Sequence, residues 1–340
     1  MTASIDRLII NYVSSMSIIV LFYVYYQTNP YYLGFFSSTH TWPWFSVSDA
    51  ELFRYFVLGF AVVLPFYYAS FDDRHLTKSY LCWRALFNLS RRRPDEQEKV
   101  ALLAVAVKAF FLPLMVGWLF ANGADFFRHT AQFFEDRQFF SHGYWMLFKL
   151  ILLADVAFFT LAYAIEHPKL NNEIRSVEPT LLGWTVTLIC YPPFNGMTNQ
   201  MLGWYSQDYP QISTPWLQTL SGLAMLILMS IYVWATFALN IKASNLTNRG
   251  IVTSGPYRYM RHPAYVCKNL VWWVGSLPIL AIAYNQGLSQ FLYGIFCILA
   301  WSYIYYLRAV TEENHLMKDP DYQAYCTRVP GFLPAFIRGR

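Results

Sequence analysis

The sequence predicts an all-α, polytopic transmembrane helical bundle of about eight spans with both termini cytoplasmic. Three observations carry this expectation. Of the 340 residues, 56% are hydrophobic, 19% aromatic and only 13% charged, about half the charged share of an ordinary soluble domain. The apolar residues gather in runs, several of which reach the roughly 20 residues a helix needs to cross a bilayer. The cations between those runs are sorted strongly by side.

The candidate spans are residues 8–27, 52–70, 100–121, 145–165, 180–195, 215–240, 264–284 and 289–308. The first is not followed by a small-residue cleavage site and is read as a retained span. The fifth is short and ends in Tyr191-Pro192-Pro193. That ending suggests a broken or re-entrant helix, which needs protein or water to satisfy its freed backbone groups. With eight spans, one side holds the N-terminus, loops 74–99, 166–179 and 241–263, and the tail from Arg308. These carry 1, 7, 2, 4 and 5 lysines and arginines, nineteen in all, against two on the opposite side. Positive residues stay cytoplasmic, so both termini and the 241–263 loop are expected to face the cytosol. An integral protein of a bacterial inner membrane or the endoplasmic reticulum is implied. Membrane lipids are its expected surroundings, and no nucleic-acid partner is expected. The five cysteines are scattered, odd in number and without metal-ligand spacing. No disulfide framework and no metal site are implied.

Two divisions are expected: residues 1–200, spans of unassigned role, and residues 201–340, a core carrying chemistry. Within the first, residues 74–93 predict an interfacial amphipathic helix. Leu76, Tyr80, Trp83 and Phe87 recur at three- and four-residue spacing, and Lys78, Arg84 and Arg91-Arg92-Arg93 suit anionic headgroups. Lys108 and Asp155 lie deep, about 12 Å and 15 Å from the cytoplasmic ends of their spans at 1.5 Å per residue. Intramembrane charges are normally paired or functional, and the expectation is that these two pair with each other. Lys149 and Lys268 lie nearer span ends, where they can snorkel.

The densest chemistry is GPYRYMRHPAY, Gly255–Tyr265, placed directly before an apolar span. Asn245, Asn248, Gly250, Ser254 and Gly255 mark an ordered loop of turns, and Pro263 suits the first turn of the next helix. His262 or its neighbour is expected to cap that helix. Free N–H groups and the helix dipole there attract an anion, and Arg261 adds a two-pronged donor for a carboxylate or phosphate. Further on, Arg308, Glu312 and His315 stand four and three residues apart, so they share a helical face. Adjacent Glu312 and Glu313 point to different sides, so that one faces a pocket while the other pairs with Arg308 or the positive loop. Tyr257, Tyr259, Tyr265, Trp272 and Trp273 offer aromatic faces to a cation or an adenine ring.

This arrangement resembles the integral-membrane methyltransferases, among them isoprenylcysteine carboxyl methyltransferase and the phospholipid N-methyltransferases. The likeness rests on G-P-Y-R-Y-x-R-H-P-x-Y, a Glu pair about fifty residues on, Tyr322-x-x-Tyr325 and a closing Val-Pro, and it covers roughly residues 215–340. It implies S-adenosylmethionine as cofactor, held on the cytosolic side by Gly255, Pro256, Tyr257, Arg261, His262, Pro263, Tyr265, Glu312 and Glu313. Arg261 and Glu312 would be the catalytic pair. The implied substrate is a lipidated or hydrophobic small molecule. An acceptor carboxylate or phosphate is favoured over an amine, since it is ionised at pH 7 and needs no general base. An amine would need one, and His262 or His315 are the candidates. There are departures: Cys267-Lys268-Asn269 replaces the glycine many members carry after R-H-P-x-Y, and no G-x-G occurs, which weakens a phospholipid-amine acceptor. An NADPH-dependent, sterol-reductase-like enzyme is the nearest rival, disfavoured by Ala264 and by the Glu pair. A transporter or assembly protein is another, in which Lys108 and Asp155 would be the working pair.

Overall fold

The computed structural model describes residues 5–71 and 75–333, so Arg74 and the cations of the last seven residues lie outside it. Seven helices are long and apolar enough to cross a membrane. In chain order the helices are α1 (Ile5–Thr28), α2 (Pro30–Phe35), α3 (Asp49–Ala69), α4 (Lys78–Asn88), α5 (Glu96–Asp136), α6 (Tyr144–Ala164), α7 (Leu181–Leu188), α8 (Phe194–Met201), α9 (Pro215–Leu239), α10 (Pro263–Gln286), α11 (Leu288–Leu316) and α12 (Pro320–Cys326). Two small antiparallel hairpins accompany them: β1 (Thr39–Thr41) with β2 (Ser46–Ser48), and β3 (Ser176–Val177) with β4 (Thr247–Asn248). The helix starts are written locally. Ser48 with Glu51 and Asp95 with Glu98 form reciprocal capping boxes, and Pro215 and Pro263 occupy first-turn positions.

The fifth predicted span is not one long helix. It is the pair α7 and α8, eight residues each, separated by the Tyr191-Pro192-Pro193 break. The chain nevertheless travels the depth of the bundle there. Ser176 Oγ lies 2.8 Å from His315 Nε2 near the end of α11. By Met201 the chain has reached Tyr293, whose hydroxyl donates to the Met201 carbonyl. From residue 315 back to residue 293 is about 33 Å along a helix at 1.5 Å per residue, close to the hydrocarbon thickness. The next segment is seated on α10: Gln207 N donates to the Gly275 carbonyl at 3.1 Å. A Cβ on Gly275 would collide with the Gln207 backbone, so only glycine allows this approach.

The third span differs in length. α5 runs 41 residues, well past its predicted end at 121, because helix-compatible polar residues continue its pattern until Arg137 turns left-handed at φ 56°. The positive segments do gather at one end of the bundle. β3 pairs with β4, Lys78 binds Glu166, and Arg175 approaches Asp319 at 3.7 Å. α4 lies along that end, but its buried face is Leu81, Cys82 and Ala85, not the expected aromatic row. Trp83 reaches Ser17 of α1, while Phe87 is exposed. The basic cluster beside it is partly neutralised, since Arg84 and Arg92 both bind the buried Glu98 at 2.6 Å.

The deep charges find other partners than expected. Lys108 binds Glu166 at 2.7 Å, and Lys78 binds the same carboxylate. Asp155 accepts hydrogen bonds from Tyr232 at 2.8 Å and Thr236 at 2.5 Å, residues four apart on α9 and so on one face. The reason is reach: a lysine stem leads its ammonium toward the nearest polar end, and Glu166 sits just past the end of α6. Lys149 pairs with Asp125 at 2.9 Å. Burial tends to raise the pKa of Glu166, but Lys108 and Lys78 outweigh it and hold it well below the usual carboxylate range. The pairing therefore stabilises the fold fully above that ordinary range and is lost only as pH falls through the depressed value. Glu166→Gln should cost about 3 kcal/mol, the low end for breaking a buried pair, because Lys108 keeps 26% of its side chain accessible. The readout is the thermal midpoint in detergent, and an unchanged midpoint would refute the pairing's role.

Candidate functional site

The turn before α10 depends on Gly255, whose φ is +59° and whose Cβ, if present, would lie 2.9 Å from that of Ala238. The following short turn, Gly255–Arg258, brings Arg261 and His262 to the start of α10. His262 occupies the capping position, but its ring makes no cap. Its Nε2 lies 2.7 Å from Glu313 Oε1, and Arg261 Nε lies 2.9 Å from the same oxygen. Arg261 thus binds a glutamate of this chain. The backbone locks the same corner. Arg261 N donates to the Pro330 carbonyl at 2.9 Å, and the Tyr325 hydroxyl donates to the Tyr257 carbonyl at 2.5 Å. Every part of the tail motif, from the Glu pair to Val329-Pro330, therefore meets the GPYRYMRHPAY segment. Tyr322 shares this setting: burial, then the charges of Glu313 and Glu312, keep its phenol well above the ordinary range.

Beside this clamp lies a second group. Tyr265 donates to Glu312 Oε2 at 2.7 Å. Arg308, one helical turn before Glu312, is 4% exposed. One of its terminal nitrogens donates to Asn245 Oδ1 at 3.1 Å. Its Nε and its other terminal nitrogen have no hydrogen-bond acceptor. Its charge rests over the rings of Tyr305, Tyr265 and Tyr191 at 4.7, 5.3 and 5.8 Å. Lys268 lies 5.6 Å from the Tyr305 ring and 5.9 Å from those of Tyr232 and Trp272. Burial, then the charge of Glu312, push the Tyr257 phenol well above its usual range.

A small cleft of about 30 Å³ opens on this group, lined by Glu178, Asn245, Tyr265, Arg308, Glu312 and His315 among others. Of the residues expected from sequence, Tyr265 and Glu312 line it. Arg261, His262 and Glu313 form the adjoining clamp, with Gly255, Pro256 and Pro263 shaping its backbone. Neither histidine stands as an obvious base, since His315 is bonded to Ser176 and His262 to Glu313. Sequence reasoning missed the part played by Arg308, Asn245, Tyr191 and Lys268. A signal existed for the two cations, because each falls inside an apolar run. Among the described residues, no three His, Cys, Asp or Glu side chains group closely enough to hold a metal ion.

Residues 217–318 match the isoprenylcysteine carboxyl methyltransferase (ICMT) family. The match supports a membrane methyltransferase in the C-terminal part of the chain. Two curated relatives are similar over shorter stretches. The nickel-cobalt-cadmium resistance protein NccN of Alcaligenes xylosoxydans xylosoxydans is 31% identical over 86 residues, 25% of this chain and 36% of that protein. The cobalt-zinc-cadmium resistance protein CzcN of Cupriavidus metallidurans is 34% identical over 92 residues, 27% of this chain and 38% of that protein. The likeness thus spans little more than a third of either relative. No solved structure matches the chain.

The two glutamates should separate in a stability experiment. Glu313→Ala strips the carboxylate from the half-buried Arg261 and the buried His262 and should cost about 2 kcal/mol, with faster proteolysis after Thr327. Glu312→Ala removes one phenol bond and should cost about 1 kcal/mol or less. Equal losses would contradict the division into clamp and cleft.

Proposed function

We propose that the chain transfers a methyl group from S-adenosylmethionine to a hydrophobic or lipid-tailed acceptor bearing a carboxylate or phosphate, at the cytosolic membrane face. The observation that carries this reading is Arg308, a buried guanidinium with two unpartnered nitrogens beside Glu312. An unpaired buried charge is costly, and an anion arriving in the cleft would relieve it. The match of residues 217–318 to the ICMT family supports the reaction class. The gathering of positive segments at this end of the bundle supports the cytosolic side.

The side chains present suit the cofactor. When bound, it supplies an electrophilic methyl group on a sulfonium centre. Glu312 offers a carboxylate to hydroxyl or ammonium donors, and the Tyr265, Tyr305 and Tyr191 rings offer faces to a cation or a flat base. Depth separates the roles. Arg308 lies about 6 Å further into the span than Glu312. An acceptor entering from the bilayer meets Arg308 first, and a soluble molecule from the cytosol meets Glu312. Arg308 would hold the acceptor anion by two-point contact, with Lys268 adding positive charge. An ionised acceptor needs no base, so the protein contributes alignment and exclusion of water. Arg261 and His262 act through Glu313, fixing the end of α11 against the start of α10 as positioning groups. Ligand pockets usually span several hundred Å³. Binding therefore requires the wall made by α7 and residues 244–247 to move outward.

Titration calorimetry on the purified full-length protein should show S-adenosylmethionine binding that Glu312→Ala weakens at least tenfold, about 1.4 kcal/mol. With labelled cofactor and total membrane extract, label should enter a lipid-soluble acid or phosphate. Arg308→Met should abolish that transfer while leaving cofactor affinity within about twofold. Binding of NADPH in place of S-adenosylmethionine would overturn the reading.

A further inference from the structure

A second cavity lies among the N-terminal helices, with a lining outside residues 217–318; Tyr163 of its wall bonds Asn245 of the cleft. The cavity has a volume of about 730 Å³. α1 packs on α3 and on α4, and α4 packs on α5. At the opposite end Tyr26 of α1 donates to the Ala109 carbonyl of α5, and Phe36 and Phe53 close over it. Between these two closures α1 and α3 leave a space against α5. Its walls are apolar, including Ile18, Phe22, Phe56, Val57, Phe60 and Leu112.

One end of this cavity is charged. Lys78, Lys108 and Glu166 line it, and the two lysine side chains are 20% and 26% accessible. Two cations share the single Glu166 carboxylate. Arg249 stands near enough to act on both Lys108 and Glu166. It is 2% exposed, with one terminal nitrogen unpartnered, and no carboxylate lies within salt-bridge distance of it among the described residues. Glu96, Glu173 and Arg175 also line the cavity, but Glu96 pairs with Lys99, Glu173 faces His75 and Arg175 faces Asp319. At the head Lys78 and Lys108 are thus left with one carboxylate between them, while the body is mostly apolar.

We propose that this cavity is a binding site for an anionic amphipathic lipid, its chain between α1, α3 and α5 and its carboxylate or phosphate head against Lys78 and Lys108. The site is separate from the Arg308–Glu312 cleft and does not depend on methyl transfer. The acyl chain would lie in van der Waals contact with the apolar wall. The head would supply the counter-charge that one glutamate cannot give to two lysines.

The test uses purified full-length protein in non-ionic detergent without S-adenosylmethionine. The probe is radiolabelled lysophosphatidic acid, compared with lysophosphatidylcholine of the same chain length. Saturable binding of the phosphate lipid is expected, with the choline lipid at least tenfold weaker. Val57→Trp, which fills the cavity without changing charge, and Lys78→Gln, which removes one head contact, should each weaken binding at least tenfold. Glu312→Ala should leave it unchanged. A Val57→Trp protein that binds as wild type would overturn the cavity, and equal binding of the two lipids would overturn the anionic head. Because no cofactor is present, loss of the methyltransferase reading would leave these results intact.

Discussion

An ionised group cannot remain unpaired in hydrocarbon, and the helices of this protein are arranged around that constraint. Lys108 is led to Glu166, Lys149 to Asp125, and Asp155 to two hydroxyls of α9. Each contact joins elements distant in sequence and removes a penalty of several kcal/mol. The same logic ties the end of α11 to the start of α10 through Glu313, Arg261 and His262. Against this background Arg308 stands apart. Three aromatic rings and one amide support its charge, and no carboxylate is bound to it.

The division between a clamp and a cleft follows from neighbouring glutamates on one helix. Consecutive residues on a helix diverge by about 100°, so Glu313 turns to the loop cations while Glu312 turns to Tyr265 and the buried arginine. The clamp fixes two helices in register, and the cleft beside it carries the unmet polar demand. Such a pairing suits a site that handles one charged molecule from the cytosol and another from the bilayer. Thr187 of α7, in the first half of the broken crossing, forms part of the wall.

Much of the fold was legible because crossing a bilayer imposes length and composition on a helix. The runs marked the seven long helices, and the doubled proline at 192–193 marked the crossing that breaks. The clustering of cations identified the end at which β3, β4 and α12 gather. The candidate site was legible in outline, since GPYRYMRHPAY and the Glu pair do meet in space. The errors came from contacts that sequence spacing does not encode. Lys108 and Asp155 were matched by depth, but each side chain's direction depends on how its helix is rotated in the bundle. Arg261, read as a ligand group, is bound to Glu313 in the structure, a contact that spacing alone did not single out.

By itself the sequence determined the membrane-spanning character, the helix starts and the order of the motifs, because these follow from local hydrophobicity, capping and backbone chemistry. Only the tertiary structure decided which charge meets which. A partner's identity depends on helix rotation and on long-range packing between α6, α9, α10 and α11. For the same reason Arg308 emerged as a buried cation without a carboxylate, and the space behind α1 and α3 emerged as a cavity, only once the helices were placed side by side.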